Sequence, residues 1–279
     1  MQPILVAIDF SNTSIHALEY AISMANKMKT DIVLVWVDKV TGAESLYPDT
    51  SNDNRQEAKK RFEELLEQYN PMLHTDLHME YKLRKGKVYH EIENVAHSVS
   101  ADLIVVGSHG ISGFEEYWIG SNASRIITYA SCPVITVRLN FPIHKSISRI
   151  MVPIDGSSET IQKIPYVARL AKLFKSEVHV VTTHYTHLKS VQRLAEKNAQ
   201  ITTNYFESNH IRYHEDTLIS SDITKSVIQY AMGIDADLIG MMTEQETPAH
   251  ILLGTHAQQL ITLSPIPVLS VHHQEHFCL

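Results

Sequence analysis

The segment Ile4-Leu-Val-Ala-Ile-Asp9-Phe-Ser11 returns 146 residues later as Ile150-Met-Val-Pro-Ile-Asp155-Gly-Ser157. Ala101-Asp-Leu-Ile returns as Ala236-Asp-Leu-Ile, and Pro133-Val-Ile-Thr-Val137 as Pro267-Val-Leu-Ser-Val271, in the same order. Three matched segments make a tandem duplication, and 279 residues suit two domains of ordinary size. We place them at residues 1–140 and 147–273, joined through the weakly periodic stretch 140–148.

Within each copy, short Val- and Ile-rich runs alternate with amphipathic stretches of helical period, the pattern of a parallel sheet covered by helices. In the first half this predicts strands near 3–9, 31–38, 77–84, 102–107 and 133–138, and helices near 13–28, 54–69, 88–99 and 121–131. The second half predicts strands near 149–155, 177–184, 211–219, 236–241 and 267–272, with helices near 160–174, 187–208, 221–232 and 254–263. The expected class is α/β, two doubly wound five-stranded parallel-sheet domains, each with its ligand crevice at the carboxyl ends of the strands. Phe62, Leu65, Leu66 and Tyr69 fall on one helical face. The polar run Asn198, Gln200, Thr202, Thr203, Asn204 suggests a solvated face.

After the fourth strand, Gly107, Gly110, Gly113 and Gly120 fall within fourteen positions of a chain that has only ten glycines. Glycine lets main-chain N–H groups approach an anion closely. Ser121 then opens a helix whose free N–H groups and dipole favour a phosphate. No Gly-Lys-Ser/Thr follows, so this is not a Walker A loop, and a Gly-rich connecting turn is the plainer alternative. Asp9, ahead of Ser11-Asn12-Thr13, is either a ligand contact or a cap for the first helix.

The spacing Gly107-x-x-Gly110, nine residues, Gly120-Ser121, with the flanks Val-Ala-Ile-Asp9-Phe-Ser and Ser131-Cys132-Pro133-Val134, resembles the ATP-binding motif of the universal stress protein family. With the duplication, the resemblance covers nearly the whole chain and implies the adenine nucleotide alpha hydrolase-like fold. It further implies that Asp9 and the main chain of Ala7 and Val37 contact adenosine, and that Gly107, Gly110, Gly120, Ser121 and Asn122 wrap the phosphates. The last strands commonly pair domains in this family. Val134–Val137 and Val268–Val271 are therefore the expected intramolecular pseudo-dimer contact, with a homodimer as a further possibility.

The second copy departs from the motif: Met242 stands for Gly107 and Gln245 for Gly110, with Glu244 and Glu246 alongside. Sterics and charge both oppose ATP there, so one nucleotide per chain is expected.

Seventeen histidines raise the question of a metal. The best placed set is His184, His187 and Asp155, suited to zinc; the His272-His273-x-x-His276-x-Cys278 tail has no second ligand pair at zinc-site spacing. Cys132 reads as a small buried hydrophobe. A net charge of −7 and a pI near 6.2 argue against nucleic acid or anionic lipid as partner, and Lys82–Lys87 is too short a basic run to reverse that. The two cysteines and the lack of a membrane-length apolar run lead us to expect a cytoplasmic protein. The expected function is an ATP-binding stress-response switch, ATP bound with or without Mg2+, and slow or no hydrolysis. The alternatives are a weak ATPase or metal-dependent hydrolase, and a nucleotide-free scaffold for a small molecule or protein.

Overall fold

Ile4, Leu5 and Val6, and likewise Leu103, Ile104 and Val105, are wholly buried, as strands covered on both faces must be. The computed structural model describes residues 2–39, 50–108, 120–143, 146–184, 189–243 and 255–272. The chain divides into two compact units, Met1–Leu139 and Asn140–Leu279.

Unit 1 contains β1 (Ile4–Ala7), α1 (Asn12–Met28), β2 (Ile32–Lys39), α2 (Thr50–Tyr69), β3 (Met79–Gly86), α3 (Val88–Ser98), β4 (Leu103–Gly107), α4 (Ser121–Tyr129) and β5 (Val134–Val137). Its strands are all parallel, in the order β3-β2-β1-β4-β5. The direction of winding therefore reverses between β1 and β4, and their carboxyl ends flank the crevice. The α2 stripe is as expected at its anchors: Phe62 and Tyr69 are buried, the Phe62 ring stacks on Tyr81 at 4.7 Å, and the Tyr69 hydroxyl donates to Glu19.

Unit 2 contains β6 (Arg149–Ile154), α5 (Ile164–Phe174), β7 (Glu177–His184), α6 (Lys189–Ser208), β8 (Tyr213–Ile219), α7 (Ile223–Gly233), β9 (Leu238–Met242), α8 (Thr255–Leu263) and β10 (Val268–Val271). The order β8-β7-β6-β9-β10 repeats that of unit 1, again all parallel. Both units are thus doubly wound five-stranded α/β domains. The strands β3 and β8 carry the polar residues Lys82, Arg84, Lys85 and His214, Glu215, Asp216, which blunts a sheet edge.

Two expectations change. The polar run of α6 is solvated only in part: Gln200 and Asn204 are exposed, but Thr202 and Thr203 are buried, and their hydroxyls donate to the carbonyls of Asn198 and Gln200, so that buried threonine stays satisfied within its own helix. The connection before β6 is also tied down, because the buried Asp237 carboxylate accepts from the main-chain N–H groups of Ser148 (2.7 Å) and Arg149 (2.9 Å). Asp237→Ala leaves both donors without this acceptor and is expected to destabilise unit 2 by about 2–4 kcal/mol, read by urea denaturation.

Candidate functional site

The crevice of unit 1 begins where β1 runs out. Ala7 lies opposite Val35, and the N–H of Ile8 donates to the Val35 carbonyl at 2.8 Å, carrying the pairing one residue past the strand. The chain then turns. Asp9 accepts the Ser11 N–H on Oδ1 at 3.0 Å, and its own N–H donates to the Ser14 hydroxyl at 3.3 Å. Ser11 is the N-cap of α1, its hydroxyl accepting from Ser14 N–H at 3.2 Å. The capping alternative for Asp9 therefore falls away: Ser11 does that work, and Asp9 is exposed at the crevice mouth.

Val37 is buried, one strand over, and pairs with Arg84 of β3. On the other side, β4 ends at Gly107, opposite Val137, and Ser108 stays in the sheet by donating its N–H to the Val137 carbonyl at 2.9 Å. A Cβ on Gly107 would stand 2.5 Å from the Thr13 carbonyl oxygen and 2.8 Å from its carbon, both main chain. Gly107 is thus required by the close approach of the α1 head, a reason the sequence reading did not contain. Gly110 and Gly113 lie outside the described residues, as do His109, Tyr117 and Trp118.

At the far end of the loop, Gly120 rather than Ser121 is the N-cap of α4, and the helix starts at Ser121. Glycine gives the first-turn N–H groups no side-chain acceptor, and no acidic residue lies in that turn. An open helix start of this kind favours an anion. Ala7, Asp9, Val37 and Gly107 lie at or near the carboxyl ends of β1, β2 and β4, and Ser121 and Asn122 form the first turn of α4 behind the Gly120 N-cap.

Unit 2 keeps the turn and loses the loop. Asp155 Oδ1 accepts from Ser157 N–H at 2.9 Å, and Asp155 N–H donates to the Thr160 hydroxyl at 3.3 Å, matching the unit 1 bonds one for one. Met242 then occupies the strand end. The helix after β6 also begins differently from α1, with a single 3-10 turn, Thr160–Lys163, ahead of α5. Lys163, 1% exposed, donates from Nζ to the Thr160 carbonyl (2.6 Å) and hydroxyl (3.0 Å). Burial pushes its ammonium down to about 8, opposed by the charge of Asp155. From α6, the Asn198 amide donates to the carbonyls of Asp155 (2.9 Å) and Ser157 (2.8 Å), tying the turn shut from the side.

His187 lies outside the described residues, His184 is buried, and Asp155 already has the Lys163 ammonium as a charge neighbour. Among the described residues no three His, Cys, Asp or Glu side chains are grouped to hold a metal. Burial, with Glu93 and Asp102, pushes the Cys132 thiol up to about 12, which leaves it protonated and unreactive near neutrality.

Sequence reasoning missed Thr13, Ser14, Thr160, Lys163 and Asn198. The spacing Asp-x-Ser-x-x-Ser/Thr, present in both copies, was the available signal for the turn. A lysine inside an otherwise apolar helix start, between Ile161, Ile164 and Val167, was the signal for Lys163.

A strand order that reverses its winding, repeated in two units, with an Asp turn after the first strand of each, defines a tandem pair of doubly wound α/β domains. The family model described as universal stress protein family matches residues 1–138 and again 146–272. Universal stress protein YxiE of Bacillus subtilis is 32% identical over 143 residues, covering 48% of this chain and 97% of that protein. Universal stress protein MJ0531 of Methanocaldococcus jannaschii is 29% identical over 143 residues, covering 48% and 81%. Over the whole length, the crystal structure of a universal stress protein from Archaeoglobus fulgidus superposes with a TM-score of 0.82 at 18% identity, covering 97% of this chain and 98% of that one. The chain belongs to the universal stress protein family.

Two outcomes follow. Gly107→Ala forces the α1 head away from β4 and is expected to cost about 1–3 kcal/mol by denaturation. For Lys163, the ammonium is held below its unfolded-state value, so the native state binds fewer protons from about pH 8 to 10.5 and wild-type stability rises with pH across that window. Lys163→Met is therefore expected to be more stable than wild type by roughly 1–3 kcal/mol at pH 7, a gap that closes toward pH 10.5 in denaturation series.

Proposed function

We propose that this chain is a stress-response protein that binds ATP, with or without Mg2+, in the crevice of unit 1 and uses occupancy as a switch, with slow or no hydrolysis. The observation that carries the reading is the α4 start: an N-cap with no side chain, reached from a glycine strand end, across from the exposed Asp9 turn. Adenosine would lie toward Ala7, Asp9 and Val37, and the phosphates toward Gly107, Gly110, Gly120, Ser121 and Asn122. The α4 dipole and N–H groups supply the positive end that the phosphates need.

The second unit supports a different role. Its strand end carries Met242 in place of Gly107, its Asp155 turn is tied by Asn198, and it buries a lysine at the helix start. In this reading unit 2 is a structural or interaction half, in a cytoplasmic protein. None of the described helices is long and apolar enough to cross a membrane.

The test is the nucleotide content of the intact chain, by mass spectrometry of the purified protein and by calorimetric titration with ATP. One ATP per chain is expected, lost in Gly110→Glu. Two per chain would overturn the asymmetry between the units, and none would overturn the reading altogether.

A further inference from the structure

Six non-glycine residues among those described have positive φ: Phe10, Lys29, Ser100, Lys175, His210 and Asp235. Five of them follow the ends of α1, α3, α5, α6 and α7, where a left-handed residue is an ordinary way to stop a helix. Phe10 is the exception. With φ 63° it stands at the head of α1, between Asp9 and the N-cap Ser11, and a bulky aromatic residue is strained in that conformation.

The second unit gives the comparison. By the 146-residue shift, Gly156 occupies the place of Phe10, yet Gly86 is the only described glycine with positive φ. The residue that could turn left-handed freely does not, and the one that pays in strain does. The strain is also not needed for the turn itself, because Asp155 makes the same hydrogen bonds without it.

What the strain brings is an anchor. The Phe10 ring packs on Phe62 with centroids 4.9 Å apart at 59°, and Phe62 stacks on Tyr81 at 4.7 Å and 2°. The Arg61 guanidinium lies over the Phe10 ring at 4.8 Å. The chain next to Asp9 is thereby locked to α2 and β3. In unit 2 an amide, Asn198, holds the corresponding turn by its carbonyls instead.

We infer that Phe10 is a positioning residue: its left-handed backbone, clamped by Phe62 and Arg61, fixes the direction of Asp9 toward the adenosine part of the nucleotide. The inference rests on the reading that the unit 1 crevice binds ATP. Such pre-organisation acts by removing the cost of ordering the contact on binding.

ATP titration of wild type, Phe10→Gly, Asp9→Ala and the double variant tests it. Phe10→Gly relieves the strain and folds, so a loss of affinity reports the lost anchor. It is expected to weaken ATP about tenfold, and Phe10→Tyr, which keeps the ring, less than about twofold. In the Asp9→Ala background Phe10→Gly should add nothing, because the group it positions is gone. An unchanged affinity in Phe10→Gly, an unchanged affinity in Asp9→Ala, or an equal loss in both backgrounds overturns the positioning role while leaving ATP binding intact. A wild type that binds no ATP overturns the reading of the crevice itself.

Discussion

The head of α1 and the end of β4 meet with no room between them. The main chain of Thr13 lies so near Gly107 that a single carbon added there would overlap its carbonyl. Much of the crevice depends on that approach: it brings the Asp9 turn, the Ser11 cap and the strand end that leads toward α4 to one rim of the sheet. In the second unit Met242 stands at the strand end, the helix after β6 opens with a 3-10 turn, and a buried lysine lies in that turn. The two strand ends go with two different helix starts.

The two units show how a shared scaffold carries unequal sites. Both keep parallel sheets of the same strand order, and both form the same pair of hydrogen bonds around an aspartate. They differ in what holds that aspartate. An aromatic contact to α2 and β3 does it in the first unit, and an asparagine from α6 in the second. The buried cation of unit 2 is a cost to folding as much as a feature of the site, since its two hydrogen bonds to Thr160 only partly offset the loss of water.

The fold was legible because parallel strands announce themselves as apolar runs, and because each run appears twice. The helix face anchored by Phe62 and Tyr69 was legible for the same reason, as periodicity. The polar run in α6 misled, because a threonine can be buried if it bonds its own helix, and composition carries no sign of that. In the candidate site, glycine spacing pointed to the end of β4 but gave no sign of the Thr13 main chain that Gly107 admits. Phe10 was invisible, since nothing in its identity announces a left-handed backbone. Such a conformation is set by what the ring meets 52 residues later, at Phe62.

The Asp-x-Ser-x-x-Ser/Thr turn survives in the unit whose glycine loop is gone. Its own bonds run within the turn and to the start of its helix, and in the second unit Asn198 of α6 adds two more, so it fastens the chain whether or not anything binds. Gly107 is held in another way, by the close approach of Thr13, and Met242 stands in its place in the second unit. After a duplication, then, the two halves of one site age at different speeds. The half that doubles as a fastening is present in both units, and the glycine-spaced half is present in only one.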